Sequence, residues 1–430
     1  MRYSPINPTL FEDRRNAFAN KMRDGSIAIL YSHDHMRRSG DQFYPYRQNS
    51  SLFALTGIDQ PGTILIIFPS ARKKSHREIL FILPHDPLNA IWNGERLTTK
   101  AAANISSINN VITVDKFETT IQTLLKRTSA LYIDMNAGKK NSAQKQSAHP
   151  KQLNFLKEEY PDLTFYDAHE LLTKIRMVKH PFEIKLLKKA IDVTANAFDS
   201  VLKTSLPGKK EYEIEAELTY VLTKSGCQHA FEPIVASGKS ACILHYTTND
   251  QIILADSMIL LDFGVEYANM CSDMTRTIPA SGRFSKQQKK IYTAVLHVLN
   301  TIMSMMAPGV TLDELNKEAG KMIESELLKL KIISKKEVSQ QDKKSPAWKK
   351  YFMHGIGHHL GYDVHDLSDR KAVLKPGMVL TCEPGLYIPE MDLGIRLEND
   401  VLITKKGSEN LMRHIPIDPD EIESIMQSKT

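Results

Sequence analysis

Asp262 and Asp273 lie in a stretch that reads as two strands joined by a turn, Ser257-Met-Ile-Leu-Leu-Asp-Phe-Gly-Val-Glu-Tyr-Ala-Asn-Met-Cys-Ser-Asp-Met-Thr-Arg-Thr277. The first half is apolar, the second alternates, and Gly264 and Asn269 flank the turn. A turn centred between Tyr267 and Ala268 sets Asp262 opposite Asp273. Opposed side chains on a hairpin have Cβ atoms roughly 4.5–5.5 Å apart, and like charges there repel. A hard divalent cation between them removes the conflict. Either acid alone reads more simply as a solvated polar residue.

A second acidic pair follows the same arithmetic. Glu383 ends the apolar run Met378-Val-Leu-Thr-Cys-Glu383, and Glu398 lies in Leu393-Gly-Ile-Arg-Leu-Glu398. A turn centred between Glu390 and Met391 sets them opposite each other, although Pro384 and Gly385 interrupt the first strand. The third element is His354-Gly-Ile-Gly-His358-His359-Leu-Gly-Tyr-Asp-Val-His365. Gly355, Gly357 and Gly361 argue against a regular helix there and for close backbone approach. His245, after an apolar stretch, reads equally as a buried structural residue or a site residue.

Two Asp, two Glu and at least one His make a carboxylate-rich set with an imidazole. That set suits Mn²⁺ or a similar borderline ion better than a structural Zn²⁺. Four carboxylates around one imidazole fit two ions better than one. Two ions roughly 3.5–4 Å apart can activate a shared water at neutral pH, which is the chemistry of amide hydrolysis.

These residues give the chain a resemblance to the Xaa-Pro aminopeptidases (aminopeptidase P), metallopeptidases with the pita-bread fold. The match is carried by L-D-F-G…S-D-M-T-R-T, M-H-G-I-G-H, T-C-E-P-G-L-Y-I and G-I-R-L-E-N-D. It extends upstream to Tyr46-Arg-Gln-Asn-Ser-Ser-Leu-Phe-Ala-Leu-Thr-Gly57 and to Ile175-Arg-Met-Val-Lys-His-Pro-Phe-Glu183. The resemblance implies metal ligands Asp262, Asp273, His358, Glu383 and Glu398 around two divalent ions, with Asp273 and Glu398 bridging. It implies that Glu383 handles the proton, that His354 and His365 assist catalysis, and that His245, Tyr387 and Arg396 bind substrate. The implied substrates are peptides with proline second. Trp92 resembles a residue that reaches a neighbouring subunit's active site, which implies a homodimer or homotetramer; without the resemblance it reads as a core aromatic. Two departures stand out. His359 replaces a common aromatic, which would change the pocket wall. Asn399 replaces a common acid, which would weaken a contact supporting the ligands.

The rest of the chain must position this set. At 430 residues two domains are expected. Residues 1–173 read as an α/β domain, with strand candidates at Ser26–Tyr31, Thr63–Phe68, Glu78–Leu83 and Ala130–Asp134. Residues 174–430 correspond by resemblance to an α+β pita-bread catalytic domain. Helices are expected from Pro181, with proline in the first turn, and after the capping-box patterns Ser285–Gln288 and Thr311–Glu314. They would cover a curved sheet that carries the metals.

The net charge of +6 comes largely from the basic stretches Lys139–Lys151 and Lys329–Lys350. These lack an aromatic stacking platform, so no nucleic-acid role is expected. No phosphate-binding glycine motif appears. No stretch reaches membrane-spanning length, no apolar leader is evident, and the four cysteines show no framework spacing. A cytoplasmic enzyme is the expectation. The alternatives are an Xaa-Pro dipeptidase on the same metal site and a non-catalytic pita-bread module. The latter is disfavoured because all five ligand positions are filled.

Overall fold

The computed structural model describes residues 2–135, 149–204, 206–342 and 344–428. Most of the basic stretch from Lys139, and residue 343 of the second one, lie outside them. The chain forms two compact units, Ser4–Arg176 and a second from Met177 onward that also takes in Arg2 and Tyr3.

In the amino-terminal unit, the apolar runs become a six-stranded mixed sheet. Its order is Val111–Thr113, Glu78–Ile82, Ile64–Ile67, Ser26–Tyr31, Ala130–Ile133, Thr164–Asp167. Ser26–Tyr31 pairs antiparallel with Ile64–Ile67 and parallel with Ala130–Ile133. Every residue of Ser26–Tyr31 is buried, which is why it reads as a continuous apolar run rather than an alternation. All four strand candidates form. Val111–Thr113 and Thr164–Asp167 were not anticipated; both are short edge strands without full burial. In the Tyr46–Gly57 box, Asn49 caps the helix Ser50–Thr56 through Ser51 N and Leu52 N. Gly57 ends that helix at φ 68°, a conformation glycine adopts without strain.

The second unit repeats one plan. A pair of helices, Pro181–Leu202 and Glu211–Lys224, precedes an acidic hairpin with arms Met258–Phe263 and Met274–Pro279. A second pair, Lys286–Met305 and Leu312–Lys329, precedes another with arms Val379–Cys382 and Asn399–Thr404. The predicted capping residues do their work. Ser285 and Thr311 each close a capping box, and Pro181 opens its helix behind the His180 cap. Ile291, Val295, Val298 and Ile302 are buried along one face of their helix, as its period demands.

The hairpin registers differ from expectation in one case. In the first hairpin, every pair from Met258↔Pro279 to Tyr267↔Met270 shares a centre between Ala268 and Asn269. Those two residues have φ 52° and 62°, as a tight two-residue hairpin turn requires. Asp262 therefore faces Thr275, not Asp273. The shift is two residues, so the acids stay on one face of the pleat, diagonal rather than opposed. In the second hairpin, the pairs Cys382↔Asn399 and Gly385↔Arg396 flank Glu383 and Glu398 in one register centred between Glu390 and Met391. That register is as expected, although Glu383 and Glu398 themselves lie in an unpaired step.

Candidate active site

Both hairpins break where the acids stand. Gly264 interrupts the first, and a Cβ there would lie 2.0 Å from the Ser272 carbonyl oxygen. Pro384 interrupts the second. A strand that stops pairing turns its next side chains away from the ladder. Asp273, Glu383 and Glu398 occupy these unpaired steps and face a cleft of about 720 Å³. His358 comes from a third segment, held against the strand Val379–Cys382 by Thr381 N donating to His358 O at 2.9 Å. Gly357 permits this approach, because a Cβ there would lie 2.2 Å from Thr381 O.

The cleft gathers Asp262, Asp273, His358, Glu383 and Glu398, and with them His245, His354, His365 and Arg396. Ligating atoms of Asp273, His358 and Glu398 lie within 4.8 Å of one another. His358 Nε2 is 3.4 Å from Asp273 Oδ2 and 3.7 Å from Glu383 Oε1. Its Nδ1 is 3.1 Å from the His359 carbonyl. A carbonyl only accepts, so Nδ1 carries the proton and Nε2 presents a lone pair to the acids. Asp262 Oδ2 accepts from Arg396 Nη2 at 2.6 Å, while its Oδ1 is buried with no hydrogen-bonding partner among the described residues.

Burial, reinforced by neighbouring carboxylates, holds the carboxyls of Asp273 and Glu398 well above their usual range. Burial also raises Glu383. An orphaned carboxylate oxygen, a free imidazole lone pair and crowded carboxylates fit a divalent-metal site built from these side chains. The histidines behind this group are neutral. Burial pushes His354 down to about 4 and His365 likewise.

Hydrogen bonds fix a directed chain. Arg396 Nη1 donates to Tyr387 OH at 2.8 Å. The hydroxyl lies 2.7 Å from His354 Nε2, and His354 Nδ1 lies 2.8 Å from the Gly355 carbonyl. Nδ1 therefore donates, and Nε2 accepts from the tyrosine. Burial raises the Tyr387 hydroxyl to about 12, which keeps it a donor. Tyr387 is fully buried behind the cleft and does not line it.

Other expectations fare differently. His359 is 2 % exposed and points away from the cleft, so its departure leaves the pocket wall unchanged. It lies beside a buried ion pair, Lys179 Nζ to Asp366 Oδ2 at 2.9 Å. A Cβ on Gly361 would lie 2.1 Å from that carboxylate oxygen. Gly355, by contrast, has only Asn316 Oδ1 nearby, at 3.5 Å. Asn399 still offers Oδ1 to Arg276 Nη2 at 2.8 Å. Trp92 belongs to the other unit, in the helix Pro87–Asn93, and is 85 % exposed. Its reading as a core aromatic is thereby excluded.

Three supporting groups were not anticipated. Thr275 Oγ1 donates to Glu398 Oε2 at 2.7 Å. Thr381 Oγ1 accepts from His358 N at 3.0 Å and stands 3.4 Å from Glu383 Oε1. The buried Asp400 accepts from Asp273 N at 3.3 Å. Each stands two residues from a candidate ligand in the chain. In an extended chain that spacing returns to the same face, and this was the available signal.

Known proteins resemble this chain in sequence and fold. The pattern of Metallopeptidase family M24 matches residues 185–405, and that of the Aminopeptidase P N-terminal domain matches residues 11–132. An Xaa-Pro aminopeptidase of Escherichia coli K12 is 34 % identical, covering 98 % of each chain. The structure superposes on E. coli aminopeptidase P with the inhibitor Pro-Leu at a TM-score of 0.88, with 32 % identity over 99 % of each chain. The Zn-substituted E. coli enzyme in complex with product also gives 0.88, with 31 % identity over 99 % of this chain and 100 % of that one. This chain therefore belongs to metallopeptidase family M24, as a metal-dependent exopeptidase in which an aminopeptidase P-type amino-terminal domain precedes a pita-bread catalytic domain.

Proposed function

We propose that the protein removes the first residue from peptides with proline in second position, using two divalent ions, Mn²⁺ for preference. One observation carries this reading. Five residues able to ligate a metal line one cleft, three of them with ligating atoms within 4.8 Å of one another. The similar Xaa-Pro aminopeptidase and the relative holding Pro-Leu support the substrate class. Asp262, Asp273, His358, Glu383 and Glu398 would hold the ions. Bound there, the ions would supply Lewis acidity and a nucleophilic water at neutral pH.

The chain's own groups do the rest. Glu383, raised by burial, is suited to take the proton from the attacking water. It returns that proton to the proline nitrogen as the C–N bond breaks. His365, neutral and at the cleft surface, offers an N–H to the developing oxyanion. The Arg396–Tyr387–His354 chain holds His354 in one tautomer, and His245 contacts the substrate. The four cysteines, three of them buried, form no disulfide among the described residues, which accords with a reducing compartment such as the cytoplasm. No helix among the described residues is long and apolar enough to cross a membrane.

The test compares Xaa-Pro-Xaa tripeptides with Xaa-Pro dipeptides on Mn²⁺-loaded protein. Cleavage of the tripeptides with about two ions per chain is expected. Cleavage of dipeptides alone would make the protein a dipeptidase. Full activity with one ion retained would refute the two-metal site.

A further inference from the structure

The strand Ile234–Ser237 is paired along its length with Met258–Phe263. Between these two strands the chain makes a long excursion with no strand of its own. Leu244, His245 and Thr247 of that excursion line the cleft. A connection of this kind needs something other than a ladder to hold it in place. The holding group is a carboxylate outside the cleft.

Glu211 opens the helix Glu211–Lys224, and its side chain is fully buried. Oε1 accepts from Ser237 N at 2.7 Å and from Ser237 Oγ at 2.6 Å. Oε2 accepts from Tyr246 OH at 2.7 Å and from Gln251 N at 3.0 Å. One carboxylate thus ties the point where the excursion leaves the sheet to two points on its return. Tyr246 is the residue next to His245.

A second clamp comes from the same helix. Asn249, buried at φ 48°, accepts from Val235 N at 3.0 Å and donates to Glu215 Oε2 at 2.9 Å. Glu215 stands one turn beyond Glu211. The first two turns of the helix therefore grip the excursion on both sides of its cleft-facing tip.

We propose that Glu211 is a positioning residue for substrate binding: through Ser237, Tyr246 and Gln251 it fixes where His245 stands in the cleft. The requirement is for a carboxylate. All four partners are donors, and only an ionised acid offers acceptors on both oxygens. A glutamine of the same shape would turn an amide nitrogen toward one pair, whose hydroxyl could rotate to accept but whose backbone N–H would be left without an acceptor. This inference rests on the reading of His245 as a substrate contact.

The test is a double-mutant cycle on the full-length, Mn²⁺-loaded protein with an Xaa-Pro-Xaa tripeptide. Glu211→Gln is expected to raise KM by about three- to ten-fold, the worth of one oriented polar contact. Metal content and kcat should stay near wild type. Tyr246→Phe, which removes the bond beside His245 together with that hydroxyl's longer contacts to Asp250 Oδ1 and N at 3.3 and 3.4 Å, should shift KM in the same direction by less. In a His245→Ala background, Glu211→Gln should raise KM no further.

A full additional KM increase in the double variant would overturn the route through His245. So would a Glu211→Gln protein that melts lower but binds the peptide with unchanged KM, because Glu211 would then be structural only. If Glu211→Gln does not fold, Tyr246→Phe carries the same cycle, and an unchanged KM there overturns the inference. A wild-type protein that cleaves no such tripeptide overturns the functional reading, and this inference with it.

Discussion

Glu398 is 2 % exposed and surrounded by the charges of Asp273, Glu383 and Asp262. Burial and those neighbours raise its carboxyl well above the ordinary 4.5. A group whose folded pKa is raised stabilises the fold fully below its unfolded pKa, and that stability is lost as pH rises through the folded value. His354 and His365, both pushed down to about 4, act the other way between about 4 and 6.5. Replacing only the glutamate separates the two effects. Metal-free Glu398→Gln should be more stable than metal-free wild type at pH 8, because the amide brings no charge into the buried acidic cluster. Its amide oxygen can still accept from Thr275. Mn²⁺ should raise the wild-type melting temperature and leave the variant's nearly unchanged. A metal-free variant that melts below wild type throughout pH 6–9 would refute the account. At this scale the sequence was informative about residue types: acids and histidines marked out as candidate ligands do line one cleft. It was uninformative about Tyr387, whose burial behind His354 depends on contacts that no spacing encodes.

The acidic hairpins work because they are imperfect. An unbroken ladder would hold Asp273, Glu383 and Glu398 in regular alternation; the breaks at Gly264 and Pro384 free them. Regular pairing on both sides still transmits the register. The second hairpin's register was legible because its turn cluster, Pro389 to Asp392, is symmetric about the true centre. The first was misjudged by one position of the turn. Ala268 and Asn269 both adopt positive φ, and alanine gives no sign of that in a sequence. Gly357 and Gly361 were correctly marked as close-approach positions, and Gly355 was not one. Gly357→Ala should therefore be costly, about 1–3 kcal/mol, because its Cβ meets a backbone oxygen rather than a flexible side chain. It should also push His358 away from Asp273. The expected readouts are a lower melting temperature and weaker Mn²⁺ binding by calorimetry. Gly355→Ala, with only Asn316 Oδ1 nearby, serves as the control and should change neither.

Over the whole chain, both units were visible as changes of pattern, from buried apolar runs to capped amphipathic helices. The repeat of two helices and a broken hairpin was not visible, because it lives in the order of elements and not in matching residues. Exposed Leu88, Ile91 and Trp92 form an apolar face on one short helix. Such a face suits a contact between copies of the chain. The protein should then sediment well above 48.7 kDa, and Trp92→Ala should raise KM for tripeptides at unchanged metal content. A fully active monomer indifferent to that substitution would refute it. The buried pair of Lys179 and Asp366 bears on a different matter, the order in which the protein can be made. Lys179 stands at the start of the catalytic unit, and its partner follows 187 positions later. A ribosome adding about 5–20 residues per second takes roughly 10–40 s to supply that partner. In that interval the amino-terminal unit, whose sheet is complete at Asp167, can fold on its own. The catalytic unit cannot yet form this buried ion pair. Nor can it assemble its candidate ligands, the last of which emerges at Glu398. A nascent chain stalled short of Asp366 should therefore carry a protease-resistant amino-terminal unit followed by a protease-sensitive tail, and metal should protect that tail only once synthesis has passed the second hairpin.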